Sequence, residues 1–357
     1  MTAATPATPP MDPTERFLRA CRRQPVDRPP IWIMRQAGRY MPSYQAVRDK
    51  VSFMELCRSP ALCTDVTLMP IDQLGVDAAI LFSDILVPLE GMGLEVSFDD
   101  RGPKVAPALR TEAQVNALRV DGADEEVAYV YDAVRLIKRA LAGRVPLLGF
   151  AGAPLTLAIY AIEGGGSRNR HDVRKMVYEA PEVLERLLEK LTTVIIRYLR
   201  HQIDAGVDAV QIFDTWGGTM SLADWRRFSQ PYTTRIMEAI RDTGVPIIHY
   251  ALGSAHLTPG LAELPCDVLS VDWREPLSLI REQTGGRFAL QGNVEPGVLT
   301  CGDEQIWAAA EACLDDFGPH PGHIFNLGHG ITPDVSVASA KALVDAAKEL
   351  GARQRRG

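Results

Sequence analysis

A chain of 357 residues, 46% of them hydrophobic, holds either one large α/β barrel or two smaller domains and has ample apolar material for a core. Its net charge of −7 argues against nucleic acid as a partner and means that any anion must be held by a local cluster of arginines. No apolar run is long enough to span a bilayer, and the start lacks the basic-then-apolar pattern of a secretory leader, so a cytoplasmic protein is expected.

Residues 1–11 are rich in Pro, Thr and Ala and are read as a disordered tail before one domain over 12–353. Asp12-Pro13-Thr14-Glu15 then supplies a helix cap, a first-turn proline and a capping-box glutamate. Pro30-Ile31-Trp32-Ile33-Met34 reads as a short buried strand, with Arg35 and Arg39 just beyond it on either side of Gly38. Ser59-Pro60 opens a helix that Gly75 closes. A second apolar run, 78–82, ends near Asp84. The alternation over 94–98, the turn 99–103 and the return 104–106 predict a β-hairpin inserted after the second strand. Further apolar runs lie at 145–150, 209–213, 245–250, 268–271, 288–291 and 323–327. Between them, Pro181 begins a long helix ending at Gly206, Ser221 caps another that runs to Gly244, and Asp303 and Pro333-Asp334 start the last two. Continuous apolar strands alternating with helices imply a parallel sheet covered on both faces, here an α/β (β/α)8 TIM barrel. Its active-site end lies at the strand exits, which carry Arg35, Asp84, Asp214, His249, Asp272, Asn293 and His329, so a polar pocket is expected there.

Two guanidinium forks four residues apart suit an anion with several carboxylates, although solvated surface arginines fit the same spacing. Asp84 follows an apolar strand, where a carboxylate is costly unless paired. It is either a cap or ion-pair partner, or an acceptor for ligand N–H groups. Residues 149–154 and 163–167 are glycine-rich but match no phosphate-loop pattern, and the second reads as a lid or close-approach loop. Glycines on both sides of His329 permit a tight turn against a ligand. The six cysteines show no C-x-x-C spacing and are expected as reduced, mostly buried thiols. Zinc is not expected, since the histidines and cysteines show no paired ligand spacing.

Met34-Arg35-Gln36-Ala37-Gly38-Arg39-Tyr40 resembles the signature of the uroporphyrinogen decarboxylase family. Matching blocks recur in the family's order at 81–86, 149–154, 163–167, 211–216 and 326–330, spanning nearly the whole chain. The resemblance implies cofactor-independent removal of the four acetate carboxyls of uroporphyrinogen III to give coproporphyrinogen III, by a cytoplasmic homodimer in tetrapyrrole biosynthesis. It implies that Asp84 accepts the pyrrole N–H groups and stabilises the ring cation. Arg35, Arg39 and Arg48 would bind carboxylates, with Tyr160, Thr215 and His329 as further contacts and Phe213 as a wall. Asp214 is left as a contact or a structural residue, and Arg35 and Arg39 are equivalent candidates for the acid. The rival readings are a zinc-dependent cobalamin or thiol methyltransferase on the same barrel and a non-catalytic tetrapyrrole-binding module.

Overall fold

A computed structural model of the protein describes residues 11–99, 102–167 and 169–355. Residues 1–10 of the expected tail lie outside that range. Met11 is already held, its N–H donating to Asp27 and its carbonyl accepting from Arg16. The caps at Asp12 and Ser59 fall where the sequence puts them, but the Glu15 side chain pairs with Arg19 instead of closing a capping box. The Glu15 N–H donates to Asp12 at the head of the helix Pro13–Cys21. Ser59 accepts from Leu62 at the head of Pro60–Leu74, and Gly75 ends that helix at φ 72°.

Seven parallel strands form one sheet: β1 (Ala79–Ile80), then, past the hairpin β2 (Glu95–Asp99) and β3 (Gly102–Ala106), the strands β4 (Leu147–Gly152), β5 (Ala209–Asp214), β6 (Ile247–Ala251), β7 (Val268–Ser270), β8 (Ala289–Val294) and β9 (His323–Leu327). The first apolar run closes the ring. The Phe325 N–H donates to the Pro30 carbonyl (2.8 Å), and the Asp77 N–H to the Ile31 carbonyl (2.7 Å). This eighth position is a single bridge, Ile31 to Phe325, rather than a full strand. Pro29 and Pro30 remove two donors before it, and Arg35, at φ 63°, turns the chain away after it.

The hairpin pairs antiparallel and is tied to the loop after the helix Pro154–Glu163, since the Val105 N–H donates to the Gly164 carbonyl and Lys104 bridges Gly165. Two helix expectations shift. The stretch from Ser221 to Gly244 is broken into Leu222–Phe228 and Gln230–Ile240, followed by a 3-10 turn. The break comes where Pro231 lacks an N–H and Ser229 Oγ is drawn to Asp214. The last helix, Val337–Gln354, starts three residues after Asp334, because Ser336 is the residue whose hydroxyl caps it, accepting from the Ser339 N–H. All six cysteines are free, and all but Cys301 are buried.

The barrel interior carries a polar ladder. Trp32 Nε1 donates to Gln291 Oε1 (2.9 Å), and Gln291 Nε2 donates to Gln211 Oε1 (3.0 Å) and Ser270 Oγ (2.8 Å). These bonds link the first segment to β5, β7 and β8 beneath the pocket.

Candidate active site

Side chains alternate along each strand, so only every second strand-end residue reaches the pocket. On β5, Gln211 and Phe213 face inward, and Asp214 turns outward. Its carboxylate accepts from Thr156 Oγ1 (3.1 Å), Trp225 Nε1 (2.9 Å) and Ser229 Oγ (2.7 Å). Asp214 is therefore a buried bracket between the sheet and the outer helices. On β6, Tyr250 points inward and His249 outward into full burial, which pushes its imidazole down to about 4. Asn293 Nδ2 donates to the carbonyls of Asp272 and Glu275, and Asp272 takes the Gly253 and Arg274 N–H groups and pairs with the Arg274 side chain. Asp214, Asp272 and Asn293 thus bind protein, and His249 is buried with neither ring nitrogen hydrogen-bonded among the described residues. Arg35, Asp84 and His329 remain.

These three meet. Arg35 leaves the closing segment at positive φ and lies across Gly330, where any Cβ would collide with its Cδ and Cγ. That contact explains the second glycine of Gly328-His329-Gly330. Asp84 is fixed by its own turn, accepting the Leu86 N–H at 2.9 Å. Asp84 is half-buried as a residue, and protein surrounds its carboxyl. Burial is the largest influence and raises it from 3.8 to about 6, against the Leu86 N–H and the Arg35 charge, which both favour the carboxylate. Tyr160, on the helix Pro154–Glu163, has its phenol pushed up by burial and then by the charge of Asp84, with Arg35 and Arg170 opposing. His329 is driven down to about 4 by burial and by Arg35, so it is a neutral imidazole at pH 7. Phe213 packs edge-on against Phe150 (5.7 Å) and Tyr250 (5.8 Å) to form an apolar wall. Thr215 is half-buried at the β5 exit, between the bracketed Asp214 and Trp216.

Arg39 and Arg48 form a second neighbourhood. Both act on the Tyr44 phenol, Arg48 also as a hydrogen-bond partner, and Tyr44 packs 5.6 Å from Phe82 near the end of β1. Arg48 also donates to the Val51 carbonyl and lies 5.8 Å from the Phe53 ring centre, whereas Arg39 is exposed. Sequence reasoning passed over Tyr250, Trp216 and Arg170. Tyr250 was hidden inside an apolar run. Trp216 packs 5.9 Å from Tyr160 and carries the Arg170 guanidinium 4.3 Å above its ring. The signal for that pair was weak, a tryptophan directly after Thr215 and an arginine just beyond the glycine loop.

The profile of the family described as Uroporphyrinogen decarboxylase (URO-D) matches residues 12–350. The chain belongs to the uroporphyrinogen decarboxylase family. It is 46% identical over 334 residues to the uroporphyrinogen decarboxylase of Syntrophotalea carbinolica, covering 94% of this chain and 97% of that one. It is 50% identical over 341 residues to that of Anaeromyxobacter sp. strain Fw109-5, covering 93% and 98%. Among solved structures, a methyltransferase from Methanosarcina mazei superposes with a TM-score of 0.80 at 22% identity, over 95% of this chain and 99% of that one. At that identity the likeness shows the shared fold. Among the described residues, no helix is long and apolar enough to cross a membrane, and no group of three His, Cys, Asp or Glu side chains is placed to hold a metal ion.

Proposed function

We propose that the pocket decarboxylates the acetate side chains of uroporphyrinogen III to coproporphyrinogen III, with Asp84 beneath the pyrrole nitrogens. The observation that carries this reading is that Arg35, at the strand exits, acts on both the Asp84 carboxyl and neutral His329, in a chain of this family. Proton addition at the pyrrole α-carbon yields a ring cation. The carbon–carbon bond to the carboxylate then breaks, its electron pair flows into that cation, and carbon dioxide leaves. The exocyclic methylene takes a proton to become methyl, and the proton on the ring carbon departs. One proton replaces one carbon dioxide, and the substrate supplies its own electron sink.

Asp84 as carboxylate favours the cation, and Arg35 and His329 hold substrate carboxylates without adding a second negative charge. Arg39 and Arg48, around Tyr44, hold the peripheral carboxylates, Tyr160 and Thr215 add hydroxyl contacts, and Phe213 faces the apolar ring edge. Anaerobic incubation with uroporphyrinogen, counting product carboxylates and released carbon dioxide, tests the activity. A product with all eight carboxylates intact would overturn it. The methyltransferase reading predicts activity that a chelator removes and zinc restores; the decarboxylase reading predicts full activity after chelation.

With the Asp84 carboxyl at about 6, kcat/KM should fall as pH drops through that value, because protonation removes the charge that favours the ring cation. A profile flat down to pH 5 would separate Asp84 from the chemistry. Lysine keeps the charge of Arg35 and Arg39 but loses the fork. Because Arg35 also acts on Asp84, where the ring cation develops, Arg35→Lys should lower kcat and kcat/KM together, while Arg39→Lys should mainly raise KM, with melting temperatures nearly unchanged in both. Steady-state kinetics beside melting curves check this pair. The reading extends to a cytoplasmic homodimer, for which sedimentation of the purified chain is the measurement.

A further inference from the structure

Tyr250 is fully buried in β6, yet its phenol oxygen touches the turn that carries His329. The oxygen lies 2.8 Å from His329 Nδ1 and 3.1 Å from the Gly328 carbonyl oxygen. The two rings are nearly parallel, 6° apart with centroids 6.0 Å apart, and Phe213 presses edge-on against Tyr250 at 5.8 Å. Gly328 is clamped as well, since a Cβ there would run into the backbone of Asp272 and Trp273.

One phenol hydrogen faces two acceptors, so a neutral imidazole gives the cluster two arrangements. In the first, Tyr250 donates to the Gly328 carbonyl and His329 Nδ1–H donates to the phenol oxygen. Two hydrogen bonds form, and Nε2 keeps a bare lone pair. In the second, Tyr250 donates to Nδ1 and Nε2 carries the hydrogen. Only the second presents a donor to a carboxylate; the first sets a lone pair against an anion. In passing between them, Nδ1–H breaks, Nε2–H forms through solvent, and the phenol hydrogen swings from Gly328 to Nδ1. Neither the proton count nor the charge changes.

We infer that Tyr250 is a positioning residue that sets the tautomer of His329, so that the imidazole becomes a neutral donor when a substrate carboxylate arrives. The inference rests on His329 being a carboxylate contact. It makes the histidine selective for anions without placing another fixed cation beside Arg35, whose charge already disfavours imidazolium there.

With only seven histidines in the chain, selective ¹⁵N labelling resolves the ring nitrogens, and His329→Ala assigns the signal. The free enzyme should show Nδ1 protonated. Coproporphyrinogen, the product of the proposed reaction, held anaerobically, should move the hydrogen to Nε2. Tyr250→Phe should lose the Nδ1 preference of the free enzyme and lower KM for uroporphyrinogen about tenfold, with kcat within about twofold, because the free arrangement gives up two hydrogen bonds and the bound arrangement only one. In a His329→Ala background the same change should leave KM where it is. If coproporphyrinogen left the wild-type nitrogens unmoved, His329 would not be a carboxylate contact and both readings would fall. If the nitrogens moved identically in wild type and Tyr250→Phe, the contact would stand and the role of Tyr250 would fall.

Discussion

Asp84→Asn should keep its fold and lose about 10²- to 10³-fold in kcat, the usual cost of removing one preorganised electrostatic contact. Asparagine keeps the shape and an oxygen for the Leu86 N–H, so the local turn survives. What goes is the negative charge beneath the ring cation. The stability effect has the opposite sign. Folding raises this carboxyl from 3.8 to about 6, so the fold disfavours its ionised form. Its contribution is most favourable below pH 4, falls between about 4 and 6, and remains a penalty at pH 7. The amide carries no such penalty, so the variant should melt at or above the wild-type temperature at pH 7. Its pH profile should also lose the step near 6. Full turnover would remove Asp84 from the mechanism, and a lower melting temperature would make it a structural carboxylate.

Asp77→Ala should cost about 3–5 kcal/mol of unfolding free energy, the range for deleting one partner of a buried ion pair. Asp77 stands just before β1 and is buried, with its side chain 3% exposed. It accepts Arg28 Nη1 and Nη2 at 2.6 and 2.8 Å, Arg16 Nη1 at 3.3 Å and the Ile31 N–H at 2.9 Å. Removing it leaves the Ile31 N–H unpaired in the interior, Arg28 without this carboxylate and Arg16 with Asp27 and the Met11 carbonyl. The damage falls on the closure of the ring, because Ile31 is the residue that bridges to Phe325. Four residues further on is Arg35, so kcat/KM should fall as well. Denaturant unfolding of the wild type, Asp77→Asn and Asp77→Ala measures this. Asparagine should fall between the other two, since it keeps an acceptor for Ile31 while giving up the charge. Equal midpoints for all three would show that the closing segment does not depend on this carboxylate.

The fold was legible because its signals are local. Pro and Ser at helix starts, Gly at helix ends and short apolar runs between them follow from backbone sterics and from burial on both faces of a parallel sheet. The hairpin was legible for the same reason, from alternation around a turn. The site was legible in part. Asp84 and His329 announced themselves as polar residues against an apolar run or between glycines. Tyr250 did not, because a tyrosine within an apolar run reads as core, and its hydroxyl has meaning only beside a turn 79 residues away.

What the amino-acid sequence determined by itself is the order and kind of elements, the family pattern and the residue types available to the pocket. Only the tertiary structure decided which of them face it. A strand exit carries no mark of its inward or outward face until its neighbours are placed. Thus Asp214 and His249 turn to the helix layer, while Phe213 and Tyr250 line the interior. Arg35 and Arg39 are the same residue type on the same loop, yet only Arg35 lies over Gly330 and acts on Asp84, Tyr160 and His329. The difference comes from one backbone turn at φ 63° and from a glycine nearly 300 positions away, and contacts of that range exist only once the barrel has closed.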